Sequence, residues 1–308
     1  MNRQALVDIA KQVAPERAWF DEPMFQHTTF KVGGPADLLV QPETLEEVVS
    51  IVRTARAGNV PLLTLGNGSN VLVLDGGIEG VVMDLSGALR EVSVRGEEIV
   101  AQAGAPLKLV AKAAQQHGLT GLEFAHGIPG TVGGGALMNA GAYDGEMAQV
   151  LQWLRVLDRQ GQTLCLDAPH LDMGYRHSRA MDEGWIILEA GFALAPGDPA
   201  AIQEKMDDLA RRRREKQPLQ YPSAGSFFKR PAGYYAGQLI QEAGMKGHTV
   251  GGAQVSTLHA GFVINLGGAT AADILQLKQD VVEAVERRSG VHLEMEVRIV
   301  GREKGDSV

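Results

Sequence analysis

The sequence predicts an α+β chain built as two domains, and three observations carry that expectation. A helical pattern feeds short apolar runs separated by glycine-rich turns through the first part of the chain. Ala195-Pro196-Gly197-Asp198-Pro199 then interrupts every pattern, and beyond it a charged helix leads into a smaller set of helices and strands. The length agrees, because 308 residues exceed what one hydrophobic core usually serves.

Thr44-Leu45-Glu46-Glu47 opens the first strong element with the signature of a capping box, and Leu45, Val48, Val49 and Val52 recur at helical spacing until Gly58 stops them. Short β-type runs follow at 61–65, 71–74 and 80–85, with another at 99–102. Residues 105–117 read as a helix closed by Gly118 just past its end, and 150–158 and 185–194 as longer strands. The domain boundary falls at 199/200. Past it come helices at 200–216, 234–243 and 270–289 and a strand at 262–266. A last strand over 291–300 turns Val291, Leu293, Met295, Val297 and Ile299 one way and His292, Glu294, Glu296 and Arg298 the other. Its polar face is either solvated or a place where a carboxylate and a guanidinium stand together.

Lysine plus arginine total 29 against 37 acids, a net charge of -8 that opposes binding to nucleic acid or to an anionic membrane. Arg211-Arg212-Arg213-Arg214 is the local exception, read as a solvated helix face or an anion contact. The single cysteine, Cys165, excludes an internal disulfide and a cysteine-rich metal site, and the histidines lack metal-ligand spacing, so no metal is expected. Residues 1–20 lack the apolar run of a signal peptide and no apolar stretch reaches membrane-spanning length, so the expected compartment is the cytoplasm.

Two glycine-rich segments lie in the first domain. Gly66-Asn67-Gly68-Ser69-Asn70 joins two strand-like runs, where successive backbone N–H groups can converge on a phosphate or simply form a hairpin turn. Gly127-Ile128-Pro129-Gly130-Thr131-Val132-Gly133-Gly134-Gly135 is followed by a small-residue run in which Asn139 stands out. So many absent side chains cost chain entropy, which points to a flat or phosphorylated group close to the backbone, and together the segments predict a bound nucleotide cofactor. Tyr175-Arg176-His177-Ser178-Arg179 is dense in donors, able to clamp a carboxylate or to sit solvated in a surface turn. Ser226, between Gly225 and the pair Phe227-Phe228, is not in a nucleophile elbow; it reads as a proton donor in a dry pocket or as a turn serine.

These segments together resemble the UDP-N-acetylenolpyruvoylglucosamine reductase family over nearly the whole chain. The resemblance runs through Thr28-Thr29-Phe30-Lys31-Val32-Gly33-Gly34-Pro35-Ala36, the Gly66 to Asn70 loop, residues 127–143, Tyr175-Arg176-His177-Ser178, Gly225-Ser226-Phe227-Phe228-Lys229 and Glu296-Val297-Arg298. It implies a vanillyl-alcohol-oxidase (PCMH) type FAD-binding domain of two α/β subdomains over 1–199 and a smaller α+β substrate-binding domain over 200–308, with the strand at 291–300 returning to the FAD region. The implied activity is NADPH-dependent reduction of UDP-N-acetylglucosamine enolpyruvate to UDP-N-acetylmuramate through noncovalent FAD, by a monomer with no nucleic-acid or membrane partner.

The same resemblance implies Ser226 as proton donor with Arg176 and Glu296 as its catalytic companions. FAD contacts fall on Gly66, Asn67, Gly68, Ser69, Asn70, Gly127, Ile128, Pro129, Gly130, Thr131, Gly134, Asn139, Ala140, Gly141 and Arg213. Substrate contacts fall on Tyr175, Lys216, Lys229, His259 and Arg298. The stretch 221–246 is similar to the family's shorter branch, and Arg230 stands where the longer branch has asparagine. An FAD oxidase of the same cofactor fold and a catalytically silent nucleotide-binding module are the competing expectations.

Overall fold

The computed structural model describes residues 3–305. They form two compact units. The first holds Leu38–Asn67 and Gly80–Arg213 with the N-terminal residues through Trp19; the second holds Phe20–Asp37, Gly68–Glu79 and the chain from Arg214 onward. This division differs from a single cut at 199/200. The second unit recruits early segments because Phe30, Val32, Leu72 and Leu74 complete its core.

In the first unit, helix α1 (Arg3–Ala10) and helix α2 (Leu45–Ala57) bury Leu6, Ile9, Val48, Ile51 and Ala55 in one apolar cluster. Thr44 caps α2 as its sequence requires, its hydroxyl accepting the Glu47 N–H at 3.1 Å. The Glu47 carboxylate gathers several donors, the Thr44 backbone among them. It accepts from Arg17 at 2.8 and 2.9 Å and from the Glu43 N–H at 2.6 Å, and the Arg17 guanidinium holds its pKa below the ordinary value. Strand Leu62–Leu65 runs parallel to Ile78–Asp84, Leu62 opposite Val81 and Leu65 opposite Asp84. A five-stranded antiparallel sheet follows in the order Thr163–Asp167, Leu151–Leu157, Ile186–Ala193, Glu98–Gln102, Val92–Arg95. Helix α3 (Leu107–Gln116) buries Leu107, Val110, Ala111 and Ala114.

Within the second glycine-rich segment the chain forms a short helix, α4 (Val132–Leu137), capped by Thr131. A Cβ on Gly133 would meet Ala103 at 3.0 Å and one on Gly135 would meet Leu107 at 3.1 Å. Part of the glycine density therefore serves close packing of this helix against its own unit rather than a cofactor. Helices α5 (Arg179–Asp182) and α6 (Pro199–Lys216) complete the series, α6 burying Ile202 and Met206.

The second unit centres on an antiparallel sheet ordered Ser223–Ser226, Phe262–Asn265, Ala253–Val255, Thr249–Val250, with helices α7 (Ala236–Glu242) and α8 (Ala271–Ser289) in the same core. The strand expected over 291–300 is confined to Arg298–Val300, which pairs in parallel with Val71–Val73. Before it, Met295 makes an isolated bridge to Phe228, so the pairing partner changes between 295 and 298 and the two-residue period is lost. Leu293 and Val297 are buried, whereas Ile299 is exposed.

The N-terminus of α8 is fully capped. Thr270 and Asp273 exchange bonds of 3.1 and 2.9 Å, and the carboxylate of Asp75 accepts the Ala271 and Ala272 N–H groups at 2.8 and 3.0 Å. Asp75→Ala leaves these two donors to water and is expected to destabilise the protein by about 1–2 kcal/mol in urea unfolding, with Asp75→Asn intermediate. An unchanged midpoint in Asp75→Ala would contradict this account of the cap. Among the described residues, no helix is long and apolar enough to cross a membrane, and no group of three or more His, Cys, Asp or Glu side chains is arranged to hold a metal ion.

Candidate functional site

In the first unit the two glycine-rich segments meet, although some sixty residues separate them in the chain. Asn67 Nδ2 donates to the Pro129 carbonyl at 2.7 Å, and a Cβ on Gly66 would fall 2.4 Å from the Thr131 hydroxyl. Gly127 lies under Arg213, whose Nη1 would stand 3.3 Å from any Cβ placed there. Burial lowers the pKa of Arg213, with Tyr143 the opposing influence. A half-buried guanidinium beside backbone stripped of side chains suits a diphosphate. Helix α6 thus divides its arginine run: Arg211 and Arg212 pair with Asp208 at 2.5 and 2.6 Å, while Arg213 turns inward to the glycine-rich segment.

Arg176 stands at the tip of a tight turn closed by Gly174 and His177, with its backbone at φ 56. Its guanidinium faces the Asn139 carbonyl at 3.5 Å and the Gly141 carbonyl at 3.4 Å, and packs 5.1 Å from the exposed Tyr175 ring. His177 contacts Asp182 at 2.8 Å, and that bond raises its pKa above 6.5. Asn139 and Arg176, separate motifs in the sequence, are therefore neighbours.

In the second unit, Ser226 ends a strand that bulges. Ser223 pairs with Ile264 and Ser226 with Phe262, so the Ser226 strand carries one extra residue, and Gly225 takes φ 77 to accommodate it. A side chain at Gly225 would be strained even with open space around it. The result is an exposed Ser226 between buried Ala224 and Phe227. Phe227 is fixed edge-on against Phe30 and Phe228, with ring centroids 6.4 and 5.2 Å away. Glu296 meets the chain just past this strand, its N–H donating to the Phe227 carbonyl at 2.9 Å.

Asn70 belongs to the same construction. Its side chain donates to the Glu296 carbonyl at 3.3 Å, and its own carbonyl accepts the Arg298 N–H at 3.1 Å. Gly66 and Asn67 lie in the first unit and Gly68, Ser69 and Asn70 in the second. Gly68 adopts φ 58. Of the other expected contacts, Lys229 pairs with Glu294 at 3.1 Å, and Lys216 and Arg298 are exposed. His259 is half-buried, which lowers its pKa, and its Nδ1 accepts from the Gly261 N–H at 3.1 Å. Tyr143, not singled out by sequence, adopts φ 57 and donates to the Leu209 carbonyl at 3.3 Å. A tyrosine closing a glycine-rich run was the available signal.

Residues 217–300 match the family described as UDP-N-acetylenolpyruvoylglucosamine reductase, C-terminal domain, and residues 36–167 match the FAD binding domain family. The UDP-N-acetylenolpyruvoylglucosamine reductase of Clostridium perfringens strain SM101 is 52% identical over 283 residues, covering 92% of this chain and 93% of that protein. The protein of the same name from Exiguobacterium sibiricum is 48% identical over 303 residues, 98% of this chain and 99% of its own. A crystal structure of the reductase from Thermus caldophilus superposes with a TM-score of 0.79 at 37% identity, covering 92% of this chain and 98% of that one. The expected FAD-binding domain followed by a smaller C-terminal α+β domain stands on these matches.

Proposed function

Because the chain belongs to the UDP-N-acetylenolpyruvoylglucosamine reductase family, we propose that Ser226, Glu296 and Arg176 carry out its reaction. That reaction is the NADPH-dependent reduction of UDP-N-acetylglucosamine enolpyruvate to UDP-N-acetylmuramate through FAD, in peptidoglycan precursor synthesis. The observation that supports these roles most is the pairing that sets Glu296 against the strand end carrying an exposed Ser226.

The residues present fit FAD. The paired loops at Gly66-Asn67 and Gly127-Thr131 bring two glycine-rich stretches of backbone together, with Thr131 and Arg213 packed against their glycines, and Arg213 offers the charge for a phosphorylated group. When bound, FAD supplies the exchange of hydride between NADPH and the terminal carbon of the enolpyruvyl group. Hydride addition there leaves negative charge spread onto the carboxyl end of the substrate, and a planar guanidinium such as that of Arg176 stabilises it through paired donors. The Ser226 hydroxyl then gives its proton to the adjacent carbon. Serine is a weak acid in water, but a strongly basic enediolate within hydrogen-bond reach needs only a positioned proton. Glu296 polarises the surroundings of that hydroxyl from the neighbouring segment. Tyr175, Lys216, Lys229, His259 and Arg298 remain proposed substrate contacts.

We place the enzyme in the cytoplasm, a setting supported by its NADPH requirement and the exposed free thiol of Cys165, and propose that it acts as a monomer. Roles in cell shape and division follow from a wall-precursor product. Purified protein is expected to be yellow, to release its flavin on heating or acidification, and to consume NADPH beyond one equivalent per flavin only when the enolpyruvyl sugar nucleotide is supplied. Flavin that stays attached after denaturation, or NADPH consumption indifferent to that substrate, would favour an oxidase instead.

A further inference from the structure

Both arms of the Asn139 carboxamide are spent on the chain's own backbone. Asn139 is buried and adopts φ 42. Its Nδ2 donates to the Gly174 carbonyl at 2.9 Å, and its Oδ1 accepts the Ala148 N–H at 2.9 Å. Gly174 and His177 close the turn on each other through backbone bonds of 3.1 and 3.2 Å, leaving Tyr175 and Arg176 at its tip. Ser178, just past the turn and fully buried, donates to the Leu137 carbonyl at 2.7 Å. The Arg176 guanidinium comes back to the Asn139 and Gly141 carbonyls. Residues 137–141 therefore anchor the turn at its first residue, behind its last residue and at the tip side chain.

Arginine at φ 56 occupies backbone space that L side chains rarely adopt, and such a conformation persists only where the surroundings over-determine it. We propose that Asn139 is a positioning residue for Arg176: its carboxamide fixes the turn and thereby sets where the guanidinium stands, instead of touching the cofactor. The inference rests on the reading of Arg176 as the group that bears charge developing in the substrate. Misplacing such a group by about 1 Å costs on the order of 10²-fold in rate, so a distant amide can have a catalytic signature.

Asn139→Asp isolates the effect. It keeps the acceptor toward the Ala148 N–H and a residue type that tolerates positive φ, but replaces the donor toward the Gly174 carbonyl with an oxygen. In the full-length flavin-loaded enzyme, flavin content and flavin reduction by NADPH are expected at wild-type levels. Reoxidation by UDP-N-acetylglucosamine enolpyruvate is expected to slow about 10- to 100-fold, with little further loss when the substitution is added to Arg176→Ala. Loss of flavin with normal reoxidation after refilling would overturn the proposal, as would an equal, independent loss in the Arg176→Ala background. If Arg176→Ala alone leaves reoxidation unchanged, the underlying reading of Arg176 fails and takes this inference with it. If Arg176→Ala slows reoxidation and Asn139→Asp does not, the positioning role alone fails. Should Asn139→Asp not fold, Asn139→Gly removes both arms at a φ glycine accepts and is judged by the same outcomes.

Discussion

Ser226→Ala is expected to lower turnover by about 10²–10⁴-fold while flavin reduction by NADPH stays near the wild-type rate. The size of the effect is that of a general acid, and its confinement to one half-reaction follows from where a proton is needed. NADPH gives up a hydride without proton transfer from the protein, whereas the enolpyruvyl carbon cannot become saturated until a proton arrives. The substitution is well suited to the question. Ser226 is exposed, and the neighbouring Phe227 and Phe228 provide the burial at this strand end, so removing one hydroxyl leaves the packing intact. Stopped-flow absorbance separates the two steps. Reoxidation by the enolpyruvyl substrate at wild-type speed in Ser226→Ala would remove the serine from the mechanism.

Arg176→Ala is expected to slow reoxidation by about 10²–10³-fold, the typical cost of removing a preorganised donor aimed at developing charge. Arg176→Lys keeps the charge but loses the planar fork, so it is expected to fall between wild type and Ala. Flavin content distinguishes this role from a cofactor contact. Arg176→Ala protein that retains flavin yet reoxidises normally would contradict the assignment.

The elements with strong local signals were legible in the sequence. The helix at Leu45–Ala57 begins and ends where Thr44 and Gly58 place it, and the strands Leu151–Leu157 and Ile186–Ala193 lie within the apolar runs that announce them. The last strand was not legible, because alternation over 291–300 reports the residues' polarity but not their partners. Met295 bridges Phe228, while Arg298–Val300 pairs with Val71–Val73, so no single face persists. The recruitment of Phe20–Asp37 and Gly68–Glu79 into the second unit escaped for the same reason: it depends on long-range burial of Phe30 and Leu72 that no local pattern announces.

The candidate site shows the same limit. Glycine density marked 127–135 correctly as unusual, yet Gly133 and Gly135 answer to Ala103 and Leu107, while Gly127 answers to Arg213. Composition cannot divide one run of glycines between helix packing and an open loop. Asn70 and Asn139 were visible as polar groups in small-residue surroundings, but not that their amides bond to the backbone of Glu296 and of the Arg176 turn. The order of the motifs carried the resemblance; the hydrogen bonds between them required the fold.

The most direct test of the central claim mixes NADPH-reduced, flavin-loaded enzyme with UDP-N-acetylglucosamine enolpyruvate in the absence of oxygen. The account predicts that oxidised flavin absorbance returns and that UDP-N-acetylmuramate forms in amounts equal to the bound flavin. Flavin that stays reduced in the presence of this substrate and recovers only when oxygen is admitted would contradict it.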